Sequence, residues 1–175
     1  VTNAIVFEGP EDYHKRLNSK KLNIDENSIL IVRGCGPVGY PGSAEVINMQ
    51  PPDRLLKKGI NTLPTLGDGR QSGTSASPSI LHVSPESAIG GDLGIVKTGD
   101  QIKIDLNKRR VDLLIPQSEF KIRRKKRKIF KFNNQTPWQE IFRDTVGQLE
   151  DGACINSRGK FLKVSSTKGI PRDSH

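Results

Sequence analysis

Three stretches of this 175-residue sequence hold side chains or backbone patterns able to do chemistry. Gly34-Cys35-Gly36-Pro37-Val38-Gly39 has the G-x-G-x-x-G spacing that cradles a pyrophosphate when its third glycine opens a helix. Here Tyr40-Pro41-Gly42 follows, and Pro37 and Pro41 both resist helix continuation. The spacing therefore predicts a rigid loop of close backbone approach, able to line a site, rather than a dinucleotide fold. Asp68 to Ser79 (DGRQSGTSASPS) gathers Ser72, Thr74, Ser75, Ser77 and Ser79. Hydroxyls and turn N–H groups of this kind suit an anion or a hydroxyl-bearing ligand. The stretch is not the hydrolase nucleophile elbow, because Ser72 follows Gly69-Arg70-Gln71. Composition alone describes a flexible loop, and the short strands predicted on either side argue that it is held rigid. The third stretch is basic: Lys121, Arg123, Arg124, Lys125, Lys126, Arg127, Lys128 and Lys131 with no acid among them.

That run accounts for most of the charge. The chain has 28 Lys+Arg against 19 Asp+Glu, a net +9, and taking away the eight bases of the run leaves 20 against 19. The protein is thus nearly neutral with one basic segment, which argues against a histone-like chain. The run reads as a solvated helix face, with nuclear import or a nucleic-acid contact as the rival readings. No aromatic residue interleaves with the charges between Arg123 and Lys128, which weakens a single-strand stacking platform.

Other candidates are thin. His14, His82 and His175 are scattered without zinc-like spacing. Cys35 and Cys154 are too few for a disulfide framework or a four-thiolate metal site, so both read as inert and a reduced intracellular setting is expected. No apolar run approaches the roughly 18 residues of a membrane helix. No secretory signal opens the chain. Its start, Val1-Thr2-Asn3, fits either a trimmed terminus or a cut from a longer protein.

The elements that must position these stretches are short. Gly 17 and Pro 11 predict many tight turns, and the length suits one domain with a tail. Ala4–Phe7 predicts a strand, and Pro10 with Glu11 and Asp12 opens a helix through Leu17. Ser28–Val32 predicts a strand buried on both faces. Helices are expected over Ser43–Met49 and Arg54–Lys58, the latter stopped by Gly59. Leu63–Leu66 and Ile80–Val83 read as strands flanking the hydroxyl loop. Leu93–Lys97, Gln101–Leu106 and Arg109–Ile115 read as a meander turning at Gly99-Asp100 and Asn107-Lys108, which predicts a barrel or curled sheet. Ser118 is the expected cap of a helix bearing the basic run. Thr136-Pro137-Trp138-Gln139 signals another, with Trp138, Ile141, Phe142, Thr145, Val146 and Leu149 on one apolar face.

Taken together, GPVGYPGSAEV (36–46), GDGRQSGTSASPSILHVSPESAIGGDLGIVKTGDQIKIDL (67–106) and TPWQEIFRDTVGQL (136–149) resemble the C-terminal domain of the dihydroxyacid and sugar-acid dehydratase family. The resemblance runs from about Ala4 to Ala153. Gln71-Ser72-Gly73-Thr74 and Gly39-Tyr40-Pro41 are more similar to the sugar-acid members, since the amino-acid-pathway members tend to carry Phe at the position of Gln71 and Gly at that of Tyr40.

The resemblance implies an α/β fold: a swivelling β/β/α domain with a barrel-like β core and flanking helices. It divides the chain into a core over residues 1–116, C-terminal helices packing on it over 117–164, and a loose tail over 165–175. The implied reaction removes water from a 2,3-dihydroxy acid, a sugar acid in the leading reading, to give a 2-keto-3-deoxy acid. The alternatives are the dihydroxyacid dehydratase of branched-chain amino-acid synthesis and, in another class, a nucleic-acid-binding module using Lys121–Lys131. Such chemistry needs a base at C2 and a Lewis acid at the C3 hydroxyl. In the family an iron–sulfur cluster serves the C3 hydroxyl and Mg²⁺ the carboxylate end.

By motif, Glu45 corresponds to the Mg²⁺ ligand, Ser72 to the base and Thr74 to its neighbour that orients substrate or the serine oxygen. The cluster ligands are implied to lie in a larger N-terminal domain, which would be this chain's own partner, and the fragment alone to be inactive. A homo-oligomer is implied at full length, in the cytoplasm or an organelle such as the mitochondrion, with no membrane partner.

Overall fold

The computed structural model describes residues 1–41, 45–71, 76–127 and 130–155. Apolar sequence runs become the middle of a mixed sheet. Strand β1 (Thr2–Glu8) and strand β2 (Ser28–Arg33) pair in parallel from Asn3↔Ser28 to Glu8↔Arg33. Between them, helix α1 (Pro10–Arg16) begins at the proline and carries Glu11 and Asp12 in its first turn. Every residue from Ser28 to Val32 is buried, as expected for a strand covered on both faces. Strand β3 (Glu45–Ile47), the one-turn helix α2 (Asp53–Leu56), strand β4 (Thr65–Gly67), strand β5 (Arg70–Gln71) and strand β6 (Ser79–Ile80) follow. Strands β7 (Gln101–Asp105) and β8 (Arg110–Leu113) form an antiparallel hairpin. Helices α3 (Gln117–Lys125) and α4 (Pro137–Thr145) complete the described chain with a 3₁₀ turn at Leu149–Asp151.

The six-stranded sheet runs β6-β4-β2-β1-β7-β8, a half-barrel with flanking helices. This is the α/β class and the barrel-like core expected. β6, β4, β2 and β1 are parallel, and β7 joins antiparallel to β1. One face buries Phe7, Tyr13, Leu30, Val32, Met49 and Leu63. The other buries Ala4, Ile29, Ile31, Leu66, Leu93 and Ile102. Because successive side chains of a strand point to opposite faces, β1 and β2 feed both clusters. Among the described residues no helix is long and apolar enough to cross a membrane.

Four expectations are corrected. The helix expected over Ser43–Met49 is, where described, strand β3, paired in parallel with β5. Val46 and Ile47 are β-branched, and Pro51-Pro52 bar continuation as a helix. The strand expected over Leu93–Lys97 is a 3₁₀ turn at Asp92–Ile95 followed by extended chain. Gly94 N–H donates to Gly91 O and Val96 N–H to Leu93 O, so Leu93, Ile95 and Val96 reach the core without a ladder. The meander therefore reduces to the β7–β8 hairpin, and the turn at Gly99 (φ 94°) delivers the chain to β1 instead. Ser118 is not a cap: Pro116 holds that position, without a side-chain cap bond.

Thr136 does cap α4, accepting from Gln139 N–H at 3.4 Å, while Gln139 Oε1 accepts from Gln135 N–H one residue before the cap. The face bearing Trp138 and Ile141 is not covered, with Trp138 78% exposed. The tail over 165–175 lies outside the described residues.

Candidate active site

Both glycine-rich loops leave the C-terminal ends of parallel strands, β2 and β4, where open α/β sheets place their ligands. Two fully buried carboxylates fix the first loop. Asp68 Oδ1 accepts from Cys35 N–H at 2.9 Å, and its Oδ2 accepts from Gly34 N–H at 3.1 Å and Ser87 N–H at 2.9 Å. The Ser87 hydroxyl donates to the same oxygen and accepts from Gly34 N–H. Glu86 does the same further along: Oε1 accepts from Val38 N–H and Oε2 from Gly39 N–H, both at 2.8 Å. Gln148 Nε2 donates to Glu86 Oε1 at 2.8 Å and thereby ties in the C-terminal region. The close approach explains the glycines: a Cβ at Gly36 would sit 2.5 Å from Glu86 Oε2, and one at Gly39 2.6 Å from Gly34 O. The loop is a series of turns and not a helix opening, so the dinucleotide reading fails on geometry.

Asp68 thus joins the two loops, since it sits in the turn between β4 and β5. Past that turn β5 lies beside β3, with Glu45 opposite Arg70 and Ile47 opposite Gln71. Arg70 Nη2 lies 3.3 Å from Glu45 Oε1, and both side chains are about half exposed, 49% and 48%. Gln71 is buried, its amide bonded to Thr65 Oγ1 at 3.2 Å and near Ser79 Oγ, which donates to Ser77 O at 2.9 Å. Glu45 therefore stands on the strand beside the one that runs directly into Ser72 in sequence. Ser72 and Thr74 themselves lie outside the described residues, so the structure brings together Glu45, Arg70 and Gln71 and says nothing of those two hydroxyls. Sequence reading missed Asp68, Glu86 and Arg70. The signal for the two carboxylates was present: single acids within glycine- and proline-rich loops whose backbone N–H groups need acceptors.

The other candidates behave as bland residues. The Cys35 thiol is buried, and burial, together with the charges of Asp68, Glu11 and Glu86, pushes its pKa far up, which makes it a poor nucleophile or ligand. Cys154 is exposed. Among the described residues no group of three or more His, Cys, Asp or Glu could hold a metal ion. An iron–sulfur cluster therefore does not fit the described part of this chain. A hard divalent cation fits Glu45 only as one ligand of a site completed by other residues. Histidines 14 and 82 stand apart, and His175 lies outside the described residues.

A cleft of about 640 Å³ lies elsewhere: Glu8, Arg33, Val96, Arg123, Lys126 and Phe130 are among its walls. Its best-placed cations are committed to the fold. Arg33 donates to Glu8 and to the carbonyls of Leu93, Gly94 and Val96. Arg123 donates to Asp100, Glu119 and Ile95 O. The basic run is divided in the same way. Arg123 binds α3 to the sheet, Arg124 pairs with Asp92 at 2.9 Å, and Arg127 donates to Gly90 O. Three of its arginines thus face their own chain, which speaks against a dedicated nucleic-acid surface.

Residues 1–153 match the family model described as Dihydroxy-acid/6-phosphogluconate dehydratase C-terminal. The chain belongs to this family. It is 54% identical over 172 residues to a D-xylonate dehydratase of Caulobacter vibrioides, covering 98% of this chain and 29% of the relative. It is 39% identical over 175 residues to an L-arabinonate dehydratase of Rhizobium leguminosarum bv. trifolii, again 98% against 29%. A dihydroxy-acid dehydratase of Thermodesulfovibrio yellowstonii shares 41% over 153 residues, 87% of this chain and 27% of the relative. The chain therefore spans under a third of the length of these curated relatives. For the dehydratase C-terminal domain, the half-barrel and the loops at its strand ends are the architecture that carries Glu45.

Proposed function

We propose that this chain is the C-terminal domain of a hydro-lyase that dehydrates a sugar acid, a 2,3-dihydroxy acid, to a 2-keto-3-deoxy acid. The observation that carries the reading is the 54% identity to a D-xylonate dehydratase over 98% of the chain, with Glu45 on the strand beside β5. Gln71 and Tyr40, the residue types similar to the sugar-acid members, support the substrate class over the branched-chain alternative.

In this reading Glu45 contributes one carboxylate oxygen to a Mg²⁺ site whose other ligands lie in the larger domain. The bound ion would polarise the acid's carboxylate and make the hydrogen at C2 easier to remove. Ser72 Oγ takes that hydrogen as a proton, which a serine does only as an oxyanion held near cations. Thr74 orients the serine oxygen or the substrate. The hydroxide leaves C3 under activation supplied outside this chain, and the enol becomes the keto acid. Asp68 and Glu86 hold the loop backbones so that these groups stay in register.

The domain alone is therefore inactive. The decisive test is a panel of sugar acids, D-xylonate and L-arabinonate among them, and the branched-chain dihydroxy acid, assayed on the full-length enzyme and on residues 1–175. Turnover on a sugar acid by the full-length enzyme alone is expected. Turnover by the isolated chain, or by the full enzyme on the branched-chain acid only, overturns the reading.

A further inference from the structure

The pairing of Glu45 with Arg70 has a consequence for how an anionic substrate is held. A carboxylate that is to ligate a cation has a guanidinium beside it, in register on the neighbouring parallel strand. Arg70 differs from the arginines that lock the fold together. Arg33 and Arg123 each direct several donors to acceptors, and Arg54 donates to the carbonyls of both Leu22 and Ile24. Among the described residues the Arg70 guanidinium makes one side-chain contact, at 3.3 Å, and it is half exposed. A pair of that kind is worth about 0–1 kcal/mol, so little holds it closed.

We propose that Arg70 binds the carboxylate of the sugar acid, and that it holds Glu45 only while no cation is there. The argument is one of charge and geometry, and it rests on the sugar-acid reading above. A divalent cation on Glu45 turns that carboxylate from an attractive partner of the guanidinium into the seat of a net positive charge. Arg70 is then repelled from Glu45, and its planar fork of donors is free at the point where an acid must arrive. A guanidinium meets a carboxylate with two parallel N–H bonds, which fixes orientation as well as position. Glu45 with its cation, and Arg70, then present two positive groups on adjacent strands, and Gln71 leads from Arg70 straight to Ser72. The occupied site selects an anion; the empty one neutralises itself.

The test uses the full-length enzyme with Arg70→Gln and Arg70→Lys, D-xylonate and L-arabinonate as substrates, and a calorimetric Mg²⁺ titration without substrate. Arg70→Gln is expected to raise KM about 10- to 100-fold, the value of a charge-assisted bond, with kcat little changed. Arg70→Lys, which keeps the charge but not the fork, should fall between. Mg²⁺ should bind Arg70→Gln as well as the unaltered enzyme or up to about fivefold tighter, because its competitor for Glu45 is gone. An unchanged KM in Arg70→Gln overturns the proposal, and so does a rise in KM matched by a loss of Mg²⁺ affinity. If the unaltered enzyme turns over neither acid, the sugar-acid reading falls and this proposal falls with it. If it does turn over and only the Arg70 variants fail to respond, this proposal alone is wrong.

Discussion

Glu45 and Ser72 were singled out through the family motifs, and the structure adds the company that Glu45 keeps. A carboxylate ligand is tested by removing its charge without changing its shape. Glu45→Gln in the full-length enzyme should weaken Mg²⁺ by at least the roughly 10- to 100-fold that loss of an outer-shell partner brings. A titration showing native affinity would remove Glu45 from the metal site. Ser72→Ala should abolish turnover while Mg²⁺ binds as before, and near-native kcat in that variant would rule out Ser72 as the base. The two experiments separate holding a cation from moving a proton. Arg70 was not legible as a partner of Glu45, because the two are 25 residues apart and meet only through the β3–β5 pairing. That pairing was hidden by the expectation of a helix at Ser43–Met49.

At the scale of elements, local patterns succeeded where one force dominated. Ile29–Val32 is apolar throughout and could only be a central strand. Pro10 and Thr136 mark helix starts through backbone chemistry that needs no tertiary context. Leu93–Val96 shows the limit. Its residues are as apolar as a strand's and are buried like one, yet Gly91 and Gly94 let the chain turn beneath Arg33. Burial was legible there, but backbone shape was not. Asp68 is the element-scale keystone, since it gives acceptors to three backbone N–H groups from the two ends it joins. Gly34 N–H keeps Ser87 Oγ, but Asp68→Ala leaves Cys35 N–H, Ser87 N–H and the Ser87 hydroxyl without their acceptor, each costing about 1–3 kcal/mol, so a loss of at least about 3 kcal/mol is expected. Urea unfolding of the chain measures it. A loss within error would mean that water or a shifted loop satisfies the donors, and that Asp68 does not hold the loops.

For the molecule as a whole, two sets of titrating groups set opposite limits on stability, and salt tells them apart. Burial raises the pKa of Tyr13 above its ordinary 10.0, and burial with nearby carboxylates raises that of Cys35 above 9.0. The folded chain keeps these protons to higher pH than the unfolded chain does. Their contribution is therefore complete below the ordinary values and is lost as pH rises through the raised ones. Asp12, bonded to Arg16, and Glu119, bonded to Arg123, have pKa values lowered from 3.8 and 4.5. Their contribution is present above those values and is lost as pH falls through the lowered ones. The carboxylates of these pairs are partly exposed, Asp12 25% and Glu119 39%, so salt screens them; the phenol and thiol owe their shifts first to desolvation, which salt hardly touches. Unfolding midpoints measured against pH should therefore fall on both sides of neutrality, with added salt flattening the acid limb and leaving the alkaline limb in place. Tyr13→Phe loses the hydroxyl's bonds to Gln50 N–H and Gln50 O and should lower the plateau. The double variant with Cys35→Ala should also abolish most of the alkaline fall. An alkaline limb that survives intact in that double variant would show that other groups set it.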